Sequence, residues 1–243
     1  DVYRIKYSDP SPDLIIAVAQ PAVEFVLKHR EDLFPGVPVV FGAVEKKYTE
    51  SRSLGTNITG YLSAIAYTET LELALQLQPD IRNVVAFGGA GSIAKSLSQS
   101  CRDAYQAYEK RLNISYLMGL PMDALLDKVS NLPEQSIVLE LPVWRDGAGK
   151  EFVGNEALAM VAASANAPAY SFWDVSIGTG IVGGYVHHLE EEAKAVARLG
   201  LRILNGEKPE SIPIKPVPSF KYMFEHHQLK RWSIIEDLLP PGS

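Results

Sequence analysis

With 243 residues, 47% of them hydrophobic and 21% charged, the chain can bury a full core, as one large α/β domain or as two lobes. Its net charge of −6, with no basic cluster beyond Lys46-Lys47 and Lys230-Arg231, argues against a nucleic-acid surface. No apolar run approaches the roughly 18–20 residues of a membrane span, and the single cysteine, Cys101, excludes an intrachain disulfide framework.

The predicted elements alternate from the start. Residues 1–7 read as the tail of a helix, without signal-peptide character. Residues 14–18 (LIIAV) form a continuous apolar run, as in a parallel strand covered on both faces. Pro21 suits a helix's first turn, and Ala22, Phe25, Val26 and His29 follow at helical spacing. Phe34-Pro35-Gly36 ends that helix, and residues 37–41 form the next strand, closing at Gly42-Ala43. Residues 46–57 look loop-like, 58–62 are a strand, and 68–78 are a helix stopped by Pro79.

A second series begins at the strand 83–87, which runs through Gly88-Gly89-Ala90-Gly91-Ser92 into a long helix reaching about residue 111. Within that helix Ile93, Leu97, Cys101, Tyr105 and Tyr108 share a stripe, so Cys101 reads as a small buried hydrophobe. Strands at 114–118 and 136–141, helices at 121–130 and 156–163, and a strand at 169–172 complete the series. The stripe Ala193, Val196, Ala197, Gly200, Leu201, Leu204 marks one more helix, ended by Asn205-Gly206. Residues 212–218 read as extended and 228–235 as a last short helix. Alternating strands and helices with short connections call for parallel sheets. The break near residues 61–68 divides them into two.

Residues 167–184 organise the whole. A buried strand there ends in Trp173 and Asp174 and leads into a stretch rich in glycine, and open α/β sheets bind ligands at such strand ends. Trp173 offers an aromatic face and Asp174 an acceptor, set against core filling and turn capping. Trp144-Arg145-Asp146 ends the preceding strand; Arg145 can grip a carboxylate, or form an internal ion pair with Asp146 or Asp174. Gly89, Ala90, Gly91 and Ser92 can present backbone N–H groups, but the Gly-Lys-Ser/Thr ending of a phosphate-binding loop is missing.

Other chemistries find little support. Gly178-x-Gly180-x-x-Gly183 formally matches a dinucleotide fingerprint without opening directly into a helix. Ser176 lacks the first glycine of a nucleophile elbow. His187-His188 and His226-His227 have no Cys or carboxylate at ligand spacing, so no metal is expected. Glu190-Glu191-Glu192 reads as a solvated first helical turn.

Several stretches together carry a resemblance: PDLIIAV at 12–18, HREDLFPGVPVVFGAV at 29–44, NITGYL at 57–62, TLELALQLQPDIRNVVAFG at 70–88, YSFWDVSIGTGIVGGY at 170–185 and the closing LLPPGS. They resemble the ABC transporter substrate-binding protein family, whose members also serve as extracytoplasmic sensor domains of histidine kinases. The resemblance implies a type I periplasmic-binding fold: two Rossmann-like lobes, three crossing segments and a ligand cleft. It also implies a strand–helix unit ahead of the first strand seen here, so the first lobe is expected to lack that unit. Relatives place an acidic or amide pair after this strand, where Ala19-Gln20 leaves only Gln20 as a polar side chain; Ala43 ends the next strand.

The expectation is therefore a non-enzymatic, periplasmic or extracytoplasmic solute-binding chain without a cofactor, closing two lobes on a small polar ligand such as an amino acid or small carboxylate. Its partners are an ABC permease or a membrane-linked kinase module. The lobes are expected at 1–64 with 182–209, and at 65–181 with 210–243, with hinges near 61–68, 176–184 and 212–218. The alternative is an α/β enzyme, a hydrolase using Ser176 or a dinucleotide-dependent oxidoreductase.

Overall fold

The computed structural model describes Tyr3, residues 11–217 and residues 219–243. The expected helix tail at 1–7, apart from Tyr3, and Pro218 of the third expected hinge lie outside the described residues. In chain order the strands are β1 (Ile15–Val18), β2 (Val39–Glu45), β3 (Ile58–Ser63), β4 (Asn83–Gly88), β5 (Asn113–Met118), β6 (Ser136–Glu140), β7 (Ala169–Tyr170), β8 (Gly183–His187), β9 (Lys215–Pro216) and β10 (Phe220–Phe224). The helices are α1 (Gln20–Leu33), α2 (Lys46–Glu50), α3 (Tyr67–Leu77), α4 (Ser92–Tyr105), α5 (Met122–Ser130), α6 (Glu156–Ser164), α7 (Leu189–Leu204) and α8 (His226–Arg231). The fold is mixed α/β, and the chain divides into two compact units.

The first unit holds the described residues up to Ala64 together with His188–Ser219. Its four-stranded sheet, ordered β1-β2-β3-β9, is parallel throughout. Alternate residues of β2 point to opposite faces. Phe41 packs with Val23 and Val26 of α1, whereas Val40 packs with Val196, Leu199 and Ile203 of α7. Covering both faces explains why β2 is apolar without interruption. By contrast β1, expected to be covered likewise, lies at the sheet edge with Ile16 and Val18 exposed.

The second unit holds Ile65–His187 and Phe220–Ser243, with a six-stranded sheet ordered β10-β8-β7-β6-β4-β5. Ile137 and Leu139 of β6 join Leu71, Cys101, Tyr105 and Phe172 on one face. Val138 joins Phe87, Leu125, Leu158 and Val161 on the other. Cys101 is fully buried, and burial pushes its thiol up to about 12, so it behaves as the small hydrophobe its stripe implies.

Four details differ from the sequence expectation. Residues 46–50, read as loop, form α2. Residues 183–187, expected in the first lobe with only 183 and 184 inside the hinge segment 176–184, form β8 and pair with β10, an antiparallel strand that the sequence does not lead one to expect. Residues 210–217, assigned to the second lobe, include β9, whose Lys215 and Pro216 pair with Tyr61 and Leu62 of β3. The buried face of α7 is Val196, Leu199, Gly200 and Ile203, leaving Leu201 and Leu204 in solvent at 58% and 52% exposure.

Candidate functional site

Parallel strands end together, so their carboxyl ends gather loops along one edge of each sheet. In the second unit that edge carries most of the predicted residues. β4 ends in Gly88, and the next two N–H groups are already used: Gly89 donates to the Pro142 carbonyl (3.2 Å) and Ala90 to the Arg145 carbonyl (2.8 Å). These bonds stitch the loop after β4 to the loop after β6. A β-carbon at Gly89 would crowd the Arg145 carbonyl and the Val143 backbone, so the close approach requires glycine here. Gly91 has φ +103° and leads into α4, and only the Gly91 and Ser92 N–H groups make no hydrogen bond among the described residues of this stretch.

The loop after β6 separates its three predicted residues. Trp144 stands 49% exposed. Arg145 bonds Glu151 through Nη2 at 2.7 Å, an exposed pair across an antiparallel bridge between the two residues. Neither Asp146 nor Asp174, the partners anticipated for it, is involved. Asp146 turns inward. Its Oδ1 accepts the N–H groups of Ala148 and Lys150 and its Oδ2 that of Met122, each at 2.9 Å. Burial works to raise its pKa, but those three N–H groups and the Lys150 charge hold the carboxyl below its ordinary range. Asp146 thus braces its loop, with Oδ1 engaged by the turn that follows it and Oδ2 by the start of α5.

At the end of β7, Trp173 is half-buried and stands edge-on to Phe172, with ring centroids 5.6 Å apart. Asp174 opens a short 3₁₀ turn, Asp174–Ser176. Beneath that turn lies a residue the sequence reading passed over. Glu140, the last residue of β6, is 5% exposed, and its Oε2 accepts the hydroxyls of Ser171 (2.6 Å) and Ser176 (2.9 Å). Burial pushes its pKa up, with the two hydroxyls pulling it partly back. The available signal was an acid closing the apolar run Ser-Ile-Val-Leu-Glu, in register with the inward-facing Val138.

In the first unit, Gln20 begins α1, exposed and donating to Glu24 (2.9 Å). The residue before it, Ala19, has φ 68° and ψ 158°, a region that costs strain for any residue but glycine. Ala43 likewise has φ 55°. Its N–H donates to Oε1 of Glu192 at 2.8 Å. Glu192 is buried, so the expected solvated turn holds only for Glu190 and Glu191, which pair with Lys194. Ala43, expected to close its strand, lies instead inside β2, at the register shift between Phe41 and Val44. Each unit thus has a buried glutamate accepting hydrogen bonds near the carboxyl end of its sheet.

Alternative chemistries fare poorly on geometry. The Ser176 hydroxyl donates to Glu140, so no histidine acts as its base. Gly183 opens a strand rather than a helix, which removes the dinucleotide geometry. No cluster of three His, Cys, Asp or Glu residues able to hold a metal occurs among the described residues. Likewise, no helix among them is long and apolar enough to cross a membrane.

Comparison with known proteins agrees with this architecture. The family described as "ABC transporter substrate binding protein" matches residues 3–238. No curated protein matches the chain. Among solved structures, an ABC domain from Streptococcus pneumonia in complex with L-Trp superposes with a TM-score of 0.70 at 15% identity, covering 98% of this chain and 79% of that one. A ligand-free, open substrate-binding protein from Clostridium difficile gives 0.70 at 16% identity, covering 100% and 79%. An ABC transporter solute-binding protein from Agrobacterium vitis with bound allitol gives 0.55 at 14% identity, covering 95% and 81%. At these identities the superpositions establish fold, and the family match over nearly the whole length establishes kinship. The chain belongs to the ABC transporter substrate-binding protein family, whose members bind substrates and are not enzymes.

Proposed function

We propose that this chain works outside the cytoplasmic membrane, binds an amino acid or small carboxylate with an apolar body, and presents it to an ABC permease. The observation that carries the proposal is the braced turn after β7, which holds an aromatic face, Trp173, beside a carboxylate, Asp174, at the strand ends. Asp174 suits an ammonium, and Trp173 and the exposed Trp144 suit the apolar body. Arg145 suits a carboxylate. Its present partner, Glu151, is a solvent-exposed ion pair, and such pairs cost little to open. The L-Trp complex of the pneumococcal neighbour supports this class, while the allitol complex marks the sugar-like competitor.

Thermal-shift screening of amino acids, carboxylates, nucleobases and sugars tests the class, because a bound ligand raises the midpoint by mass action. Amino acids or carboxylates are expected to stabilise the protein. Arg145→Ala should weaken their binding by about 2–5 kcal/mol, the range for leaving a desolvated charge unpaired. Stabilisation by sugars alone, or unchanged binding by Arg145→Ala, overturns the assignment. Service to a membrane histidine kinase as a sensor domain uses the same ligand chemistry. Stimulation of a cognate permease's ATP hydrolysis by the loaded protein distinguishes import from sensing.

A further inference from the structure

Glu140 occupies a costly position. An ionised carboxylate with 5% exposure loses most of its hydration, and only specific hydrogen bonds offset that loss. Its Oε2 takes both serine hydroxyls, and Oε1 makes no hydrogen bond among the described residues. The two serines bracket Trp173 and bond its backbone as well. The Trp173 N–H donates to Ser171 Oγ at 3.2 Å, and the Ser176 N–H donates to the Trp173 carbonyl at 3.2 Å. Glu140, Ser171, Trp173 and Ser176 thus form a closed ring of hydrogen bonds, with Asp174 held on the span between the serines.

We propose that Glu140 is a positioning residue: through this ring it fixes where the Trp173 indole and the Asp174 carboxylate stand, and so sets ligand affinity without touching ligand. Its importance for binding rests on the functional reading above, but the ring itself is testable in ligand-free protein. Burial raises the Glu140 pKa, and the two hydroxyls offset part of that rise. The charged groups on neighbouring segments, Asp174 on the turn and Arg145 and Asp146 after β6, do not enter. A proton on Oε1 leaves Oε2 free to accept both hydroxyls, so the ring survives in either charge state. It needs an acceptor at that point, not a charge. Glutamine supplies one and alanine does not.

The chain has three tryptophans, so Trp144→Phe with Trp232→Phe leaves Trp173 as the sole indole reporter. In that background, emission maximum and acrylamide quenching are read without ligand, with far-UV circular dichroism confirming the fold. Glu140→Ala and Ser176→Ala should shift Trp173 emission to the red and increase its quenching. Glu140→Gln should restore both to the parent values. Unchanged emission and quenching in the alanine variants overturns the proposal, as does a glutamine variant displaced as far as alanine. Should Glu140→Ala not fold, Ser176→Ala carries the test, since it removes one hydroxyl and leaves the carboxylate in place. A failed ligand screen with the Trp173 response intact removes the functional reading alone.

Discussion

At the scale of single residues, Glu140 and Asp146 lie six positions apart and respond to acid in opposite directions. Burial raises the folded-state pKa of Glu140 above its ordinary value of 4.5, so the fold favours the protonated form. Its contribution to stability is fully present below that ordinary value and is lost as pH rises through the raised one. Asp146 is depressed below 3.8 by the backbone N–H groups, against the effect of burial. Its contribution is present above that value and disappears as pH falls through the lowered one. Calorimetry between about pH 4 and pH 7 should therefore show Glu140→Gln gaining midpoint relative to the parent as pH rises. Asp146→Asn should show a nearly constant deficit across that range, shrinking only when the scan is extended below 3.8, toward the lowered value. Parallel slopes for the two variants would contradict both assignments.

At the scale of elements, the pair β8–β10 holds the strongest local constraint. Gly183 has φ +143°, and its α-carbon faces the Met223 carbonyl and the Phe224 α-carbon so closely that any β-carbon would overlap them. Gly183→Ala must therefore push β10 away, breaking the register in which Gly183 opposes Phe224. Overpacking of this kind costs about 1–3 kcal/mol, and the unfavourable φ adds to it. The expected result is a lowered denaturation midpoint with faster amide exchange in residues 220–224. A midpoint equal to the parent's would show that the sheet edge yields freely. This pair was also the element least legible in the sequence. The glycines of 178–184 read as a turn, and Phe-Lys-Tyr-Met-Phe carries no clean alternation because every residue of β10 keeps some exposure.

At the scale of the whole molecule, the chain passes between its two units three times, after Ala64, after His187 and after Ser219. The first and third passages fall within or just beyond the expected hinge segments 61–68 and 212–218. The second lies after β8 instead of within 176–184, because β8 is held in the six-stranded sheet. Hinge closure, which the family resemblance implies, predicts a smaller radius of gyration in small-angle scattering at saturating ligand. An unchanged radius with ligand demonstrably bound would remove the closure model and leave the fold untouched.

The sequence by itself determined the alternation of strands and helices, the break near Ala64, the burial of Cys101 and the family. All of these rest on local periodicity, punctuation by proline and glycine, and the order of short motifs. It placed Trp173 and Asp174 at a strand end, because the strand's apolar run stops there. Only the tertiary structure decided which polar residues face inward. Glu140 and Glu192 look like ordinary charges in the chain, yet each accepts hydrogen bonds from residues far away in sequence, Ser171 and Ser176 for the one and Ala43 for the other. Asp146 and Arg145 are adjacent, yet one is sealed within its loop and the other lies open to solvent. Such differences arise from strand register and loop closure, which bring together groups that no local pattern relates.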